Sequence, residues 1–415
     1  MTEAIVLHSQ VRSWLGQSVL TPFVTSYISY LRSQRYTERT QRGYVYGVAH
    51  FAHWLSPQRV GLSGLDEEAV RAFLEDHLPG CDCPHPARRS AQENRTALRH
   101  LLSVLRANGA IGERPTSHDP TASELALFDR YMDDVCGLAA NTRRQRICIL
   151  RRLFSTHDGL APGGGTPGAL SIRGFFLNRQ NSWSAGTVQV VSGALRCYLR
   201  FRALAGDDVR ALQDAVPNAA HWRLAPLPEV FTEDEIQRLL NSFERVTCSP
   251  KRGYAMARCL TDLGLRASEV VGLQLEDLNW REGTICLAAG KLRRASVLPL
   301  PAEAGRAIAD YLQTERPLTS SRAVFVRHIA PHDRPIGPGV VRRAIRDAYQ
   351  RCGWTHSRVH ILRHSIASNL LRHGTPLKEI ADLLRHRSLD TSMIYTKVDL
   401  RRLTAVAMSW PGRQL

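Results

Sequence analysis

The chain has 415 residues and a formal net charge of +17, which comes from 55 lysine and arginine residues against 38 aspartate and glutamate residues. That length is enough for two or three domains that each bury a core. Dispersed positive charge of this size favours nucleic acid as the partner over an anionic membrane surface. No stretch approaches the roughly 20 apolar residues of a membrane span, and residues 1–20 lack a signal-peptide pattern. We therefore expect a cytoplasmic protein without a membrane partner.

The nine cysteines are scattered, and their odd number fits reduced thiols better than a disulfide framework. Cys81, Cys83 and His85 form the one close group, a C-x-C-x-H run in a proline-rich loop. Such a run could bind a metal, but the sequence offers no evident fourth ligand. We expect no cofactor, and the sequence leaves the role of this run open.

The first quarter of the chain has apolar residues at helical spacing. The pattern predicts helices in residues 23–31 and 40–55, a third around Val70 and Leu74, and a fourth from Leu98 to Leu105. Four short helices of this kind make a small bundle, which we assign to a domain of residues 1–112.

A similar pattern returns about one domain later. Tyr30-Leu31 and Gly109 correspond to Tyr131-Met132 and Gly206, which indicates a weak internal duplication and a second helical domain over residues 121–213. Prolines in residues 214–231 break helices and suit an interdomain linker. A capping box in residues 232–235 then opens a third domain, which we place at residues 232–415.

The segment from His360 to Tyr395 has the highest density of reactive side chains. His360 and Arg363 are three residues apart, so a helix would put both on one face and leave its apolar positions to pack. A second short amphipathic helix begins near Pro376 and brings His386 to its end. Tyr395 follows in an apolar segment.

The order H-x-L-R-H, then L-x-H, then a tyrosine nine residues on resembles the C-terminal signature of the tyrosine recombinase (phage integrase) family. By this resemblance His360, Arg363, His386 and Tyr395 are active-site residues. The family usually has a small glycine before the second histidine, where this chain has Arg385. The replacement of glycine by Arg385 bears on two features of the chain just before His386, namely its backbone conformation and its contacts with DNA.

Two further motifs precede this segment. Arg266, in G-L-R-A-S-E, stands at a turn into an apolar segment, where either Glu269 or a bound phosphate must offset its desolvation. Two β-rich runs, 283–287 and 296–300, predict a hairpin whose basic tip contains Lys291. By resemblance Arg266 is the family's first arginine and Lys291 its hairpin lysine. Lysine is scarce here, and arginine cannot replace it as a proton donor.

The resemblance implies a mainly α fold with a small antiparallel β-sheet in the catalytic domain (α+β), and it implies a reaction. Two fixed arginines can grip the non-bridging oxygens of a phosphodiester, and Tyr395 can attack the phosphorus. His360 and His386 can orient groups and move protons, while Lys291 protonates the leaving 5′-oxygen. The product is a 3′-phosphotyrosyl enzyme, so rejoining needs no ATP and no metal.

The implied function is that of a site-specific DNA recombinase or integrase of a bacterial mobile element, located in the cytoplasm with the nucleoid. It would act on double-stranded DNA as a homotetramer, with a second recombinase as an optional partner, and its C-terminal tail would dock on a neighbouring protomer. A type IB topoisomerase and a catalytically silent DNA-binding accessory protein are the alternatives. The target sequence and the direction of reaction stay open.

Several arginines are candidate DNA contacts, because guanidinium groups bind phosphate. For any one of them a solvated helix face is an equally good explanation. The candidates are Arg42, Arg95, Arg99, Arg143, Arg144, Arg196, Arg200, Arg293 and Arg294.

Overall fold

The computed structural model describes residues 6–58, 61–112, 120–156, 168–179, 182–218, 228–245, 248–287, 296–386, 388 and 392–398. The chain divides into two compact units. One contains residues 1–113 and 226–415, and the other contains residues 114–225. The described residues are mainly helical with a small antiparallel sheet, which confirms the predicted fold class.

The first unit begins with a helical region. Its helices are α1 (Ser9–Gly16), α2 (Val24–Ser33), α3 (Glu38–Leu55), α4 (Glu67–Ala72) and α5 (Ala91–Ala107). Each predicted run is helical, and α1 was not predicted. Thr37 caps α3, because its hydroxyl accepts a hydrogen bond from the Thr40 amide at 3.3 Å. Helix α3 packs against α5, with Phe51 and Leu98 fully buried between them.

The second unit has a core of its own. Its helices are α6 (Pro120–Asp134), α7 (Ala140–Thr156), α8 (Ala169–Leu177), α9 (Ala185–Leu204) and α10 (Arg210–Asp214). Phe128 and Tyr198 are fully buried, and the Tyr198 hydroxyl donates to Glu124 at 2.8 Å. Gly109 after α5 and Gly206 after α9 both have positive φ, +66° and +100°, so corresponding glycines end corresponding helices.

The remainder of the first unit holds most of the motifs. Its helices are α11 (Glu233–Asn241), α12 (Pro250–Thr261), α13 (Ala267–Gly272), α14 (Ala302–Thr314), α15 (Pro338–Arg351), α16 (His360–Arg372) and α17 (Leu377–Leu383). The predicted capping box opens α11: the Glu235 carboxylate accepts from the Thr232 amide at 2.8 Å, and the Thr232 hydroxyl accepts from the Glu235 amide at 3.2 Å.

The sheet has three antiparallel strands, β1 (Leu278–Asn279), β2 (Thr284–Leu287) and β3 (Ser296–Pro299), in the order β1-β2-β3. Ile285 pairs with Leu278 on one side and with Leu298 on the other, and all three side chains are buried. The two predicted β-runs are therefore adjacent strands. Their connection, which contains Lys291, Arg293 and Arg294, lies outside the described residues.

Helix α12 positions the motifs because it packs against α14, α15 and α16. Met256 and Leu260 of α12 belong to the same core as Ile361 and Leu362 of α16. The loop that leaves α12 therefore runs beside α16. Among the helices described, none combines the length and apolarity needed to cross a membrane.

Candidate active site

Arg363 is the centre of the site. Its side chain is buried in α16, and its two terminal nitrogens donate to the main-chain carbonyls of Gly264 and Leu384. These carbonyls lie two residues before Arg266 and two residues before His386. One guanidinium therefore ties together the two loops that carry the other predicted residues. Arginine has five N–H groups, so this side chain retains three further donors.

The turn at Gly264 is fitted closely against the loop beyond α17. Gly264 has φ +60°, and a Cβ there would lie 2.7 Å from Leu384 Cδ2. An alanine would be strained in its backbone and would collide with that side chain. The glycine therefore allows the two loops to approach each other across Arg363.

Arg266 stands at the N-cap of α13 and is held by Glu269. The Glu269 carboxylate accepts from the Arg266 amide at 2.7 Å and from its guanidinium at 2.7 Å. A second guanidinium nitrogen of Arg266 donates to the Arg385 carbonyl at 3.3 Å. The internal ion pair considered from the sequence is thus present, yet the Arg266 side chain stays partly exposed and has further donors to offer.

Arg385, which replaces the family's usual glycine, adopts φ +52°. This left-handed conformation favours glycine, so the backbone at this corner keeps the geometry that a glycine would take. The side chain turns inward, and its guanidinium donates to Glu269 at 2.7 Å. Glu269 therefore accepts from two arginines. Burial alone would raise the pKa of its carboxyl group, but the hydrogen bond from the Arg266 amide, the charge of Arg385 and the hydrogen bond from the Arg266 side chain together lower it.

His386 follows this corner, and its ring is fixed by a buried serine. The Nδ1 atom lies 2.6 Å from the hydroxyl of Ser392, which is fully buried. Burial, with the nearby charges of Arg363 and Arg266, lowers the pKa of His386 to about 4. The imidazole is therefore neutral at physiological pH.

Tyr395 lies in a 3₁₀ turn, Met393–Val398, and is almost fully buried. Its hydroxyl lies 3.1 Å from Nδ1 of His364, and its ring stacks against His386 with 6.2 Å between centroids. Burial raises the pKa of the Tyr395 hydroxyl, while the charges of Arg363 and Arg266 act in the opposite direction. The two arginines thus favour the phenolate that a nucleophile must become.

His364 was not assigned a role from the sequence, although it is the last residue of the H-x-L-R-H motif. Burial and then the neighbouring His360 and Arg363 lower its pKa to about 4. Neutral imidazole can accept the proton of the Tyr395 hydroxyl through Nδ1. The structure therefore adds His364 to the predicted set.

His360 occupies the first position of α16 and is exposed at one side. Partial desolvation lowers its pKa first, followed by the charges of Arg363, Arg266 and Arg342. It thus shares the electrostatic environment of the two predicted arginines. Lys291 lies outside the described residues.

The predicted DNA contacts fall into groups. Arg293 and Arg294 lie outside the described residues. The remaining arginines with exposed side chains are Arg42, Arg95, Arg99, Arg144 and Arg200.

Two other arginines predicted to contact DNA make internal contacts in the second unit. Arg143 forms ion pairs with Asp129, at 3.5 Å, and with Asp133. Arg196 donates to the carbonyl of Pro217 at 3.2 Å. Their charge is therefore at least partly used within the unit, and a role in DNA binding stays a prediction for both.

The model of the phage integrase family matches residues 229–402. The putative integrase/recombinase y4rA of Sinorhizobium fredii is 34% identical over 400 residues, which cover 94% of this chain and 94% of that protein. Tyrosine recombinase XerA of Pyrococcus furiosus is 29% identical over 279 residues, 67% of this chain and 91% of that protein.

Among solved structures, the fold is similar to that of the XerH site-specific recombinase bound to a palindromic difH substrate in a post-cleavage complex. The match covers 71% of this chain and 98% of that chain, with 16% identity and a TM-score of 0.53. At this identity the likeness concerns the fold.

Proposed function

We propose roles for individual side chains in the strand cleavage performed by this chain, which belongs to the phage integrase family of tyrosine recombinases. The chain is a site-specific recombinase, an enzyme that breaks and rejoins DNA strands. One observation supports the assignment above others: Arg266 and Arg385 donate to one carboxylate, that of Glu269, and the charge of the buried Arg363 acts on both this carboxylate and the hydroxyl of Tyr395.

The excess of positive charge around Glu269 favours the binding of an anion. Partly buried guanidinium groups lose hydration, and one carboxylate offsets the charge of only one of them. A phosphodiester that enters the site supplies negative charge and non-bridging oxygens for the remaining donors of Arg266 and Arg363. These donors are fixed before the reaction, so they stabilise the charge that builds on phosphorus without reorganising.

In the proposed cleavage step, the Tyr395 oxygen attacks phosphorus and forms the 3′-phosphotyrosyl ester as the bond to the 5′-oxygen breaks. His364 positions the attacking hydroxyl and accepts its proton through Nδ1, and His386, fixed by Ser392, orients a phosphate oxygen. Lys291 protonates the leaving 5′-oxygen, a role that rests on the resemblance. His360 contributes to the same positive environment. The ester preserves the bond energy, so attack by a 5′-hydroxyl rejoins DNA without ATP.

We assign DNA-binding roles to residues 1–112 and 121–213, with residues 214–231 as linker and 232–415 as catalytic domain. Exposed arginines on α3, α5, α7 and α9 support this assignment through phosphate contacts. Exchange between two DNA sites requires four cleavages, for which a homotetramer supplies one active site each. The tail beyond Tyr395 would link protomers, and its residues from 399 onward lie outside the described residues. We further propose a cytoplasmic, nucleoid-associated enzyme of a bacterial mobile element.

The test is Tyr395→Phe, which keeps the ring and removes only the attacking oxygen. We expect unchanged DNA affinity and complete loss of the covalent protein–DNA complex on nicked substrates cut from DNA that flanks the gene. Tyr254→Phe is the control, because it removes a half-buried hydroxyl from the same region, where Tyr254 accepts from Arg258 at 3.0 Å. A covalent complex in Tyr395→Phe, or a phosphotyrosine mapped elsewhere by mass spectrometry, would remove Tyr395 from this role.

A further inference from the structure

Four metal-ligating side chains converge in the helical region before the linker, far along the chain from the recombinase motifs. They are His50, His77, Cys81 and Cys83, and their ligand atoms all lie within 4.8 Å of one another. Nε2 of His50 lies 3.3 Å from Nε2 of His77 and 3.3 Å from Sγ of Cys81. Sγ of Cys83 lies 3.6 Å from Nε2 of His77.

These separations match the edges of a zinc tetrahedron. With Zn–N bonds of about 2.05 Å and Zn–S bonds of about 2.3 Å, tetrahedral angles place two nitrogens about 3.3 Å apart and a nitrogen and a sulfur about 3.6 Å apart. The observed nitrogen–nitrogen distance is 3.3 Å, and the two nitrogen–sulfur distances are 3.3 and 3.6 Å. Three of the six edges therefore have lengths close to those of a zinc tetrahedron, and the other three are no longer than 4.8 Å.

The hydrogen bonds of His50 set its tautomer. Its Nδ1 lies 2.8 Å from the carbonyl oxygen of Arg88, which can only accept, so Nδ1 carries the proton. Nε2 of the neutral ring is then unprotonated and faces the cluster. Such a bond from the second nitrogen to a carbonyl orients many metal-binding histidines. His50 is fully buried in α3, so this orientation is fixed.

The local backbone brings the other three ligands to His50. After α4 the chain continues in a π-helical turn, Phe73–His77, which ends on the second histidine. A 3₁₀ turn over Leu78–Gly80 follows, and Cys81 begins an extended stretch in which Cys83 comes two residues on. Irregular helical turns of the π type are frequent at functional sites.

The C-x-C-x-H run identified from the sequence is therefore only partly the ligand set. Its two cysteines belong to the cluster, but the ring of His85 packs edge-on against His8, with 6.0 Å between centroids. The missing ligands are His77, four residues before Cys81, and His50, which lies on another helix.

We propose that His50, His77, Cys81 and Cys83 bind one zinc ion in a closed tetrahedral site. Thiolate and imidazole ligands select zinc over magnesium or calcium, and four protein ligands leave no open position for catalysis. The ion is therefore structural.

The ion would fasten the segment before α5 to α3. Arg88, whose carbonyl accepts from His50, also accepts from the Asn94 side chain at 2.7 Å, and Asn94 lies in the first turn of α5. Helix α5 carries Arg95 and Arg99. Zinc would thus stabilise the position of a helix that we assign to DNA binding, while the metal site itself does not depend on that assignment.

The experiment measures metal content in the full-length chain purified without added chelator. We expect about one zinc per chain, and in Cys81→Ser and Cys83→Ser we expect less than about 0.1. Cys136→Ser, which removes an exposed thiol of the other unit, and His85→Asn are matched controls that should retain about one zinc. Zinc removal should lower the melting temperature of the wild-type chain and of the controls.

Cobalt provides a readout that does not depend on variants. Replacement of zinc by Co²⁺ in the wild-type chain should give the intense visible bands of a tetrahedral ion and the charge-transfer absorption of two thiolates. Wild-type protein that binds neither ion in stoichiometric amount would overturn the proposal. So would an octahedral cobalt spectrum, or a loss of zinc in His85→Asn equal to that in Cys83→Ser.

Discussion

Two pairs of neighbouring histidines illustrate how surroundings decide what a side chain binds. In the helical region the Nε2 atoms of His50 and His77 lie 3.3 Å apart, and in the proposed catalytic cluster, which contains Arg266, Arg363, His364, His386 and Tyr395, both His364 and His386 contact Tyr395. Desolvation by burial is the largest cause of a lowered pKa in all four rings. The rings are alike in charge state, so the difference comes from their neighbours.

Thiols complete the first cluster and guanidinium groups surround the second. A thiol can release its proton when it binds a metal and so become a negatively charged ligand. Arginine, in contrast, stays protonated at any physiological pH. The first cluster can therefore become anionic and accept a cation. The second stays cationic, which suits the phosphate proposed as its ligand. The same residue type thus suits opposite ligands in the two clusters, according to the side chains around it.

The largest expected effect concerns Arg363 and asks whether positive charge alone suffices at the catalytic cluster. Arg363→Lys preserves the charge, but one ammonium group cannot reach both the Gly264 and Leu384 carbonyls and still offer a fork to phosphate. We expect single-turnover formation of the covalent complex to slow by roughly 10²- to 10³-fold, with DNA affinity little changed.

The matched control for this prediction is Arg372→Lys, an exposed position at the end of the same helix. It should cleave at close to the wild-type rate. If Arg363→Lys also cleaves within about threefold of wild type, charge without geometry is enough, and the fixed arrangement of the carbonyls has no catalytic role.

A smaller effect should appear in the pH dependence of stability. The pKa of His364 and that of His386 fall to about 4 in the folded chain, against about 6.5 for an unperturbed histidine. Between these values the unfolded chain binds more protons, so the free energy of unfolding should decrease as the pH falls from about 6.5 towards 4. This stabilisation is fully present above the unfolded pKa.

The measurement is urea denaturation of the metal-free chain at several pH values, so that release of a bound ion at low pH does not contribute to the slope. His364→Gln and His386→Gln should each reduce the slope of stability against pH, because glutamine does not titrate. Slopes equal to that of wild type in both variants would show that these rings do not resist protonation in the folded chain.

Motif resemblance together with residue spacing predicted most of the residues proposed for catalysis and only part of the proposed metal cluster, for a physical reason. The spacing predicted that His360 and Arg363 share one helix, as they do in α16, while the resemblance to the family selected Arg266, which stands at the N-cap of α13. His364 was missed because its partner Tyr395 lies 31 residues away, at a position set by tertiary packing.

The metal cluster was hidden for a related reason. His50 stands on the apolar face of α3, where a histidine has the pattern of an ordinary core residue, and His85 completed a plausible motif by sequence proximity alone. Only the approach of α3 to the turn at His77 distinguishes the two histidines. Ligand sets that join separate helices cannot be found from local periodicity.

The smallest expected effect concerns Arg385, which has a strained backbone and a useful side chain. Arg385→Ala retains φ near +52° and loses the ion pair with Glu269, whereas Arg385→Gly loses the pair but relieves the strain. The glycine variant should therefore be more stable than the alanine variant by about 1 kcal/mol, measured by urea denaturation at neutral pH. Equal stability in the two variants would show that the backbone stores no strain at this corner.

Cleavage by the glycine variant should stay within about threefold of wild type, because Glu269 still accepts from the amide and guanidinium of Arg266 at 2.7 Å. A loss as large as that expected for Arg363→Lys would instead place Arg385 among the groups that bind the phosphate, and the catalytic cluster would then use three guanidinium groups where the proposal assigns two.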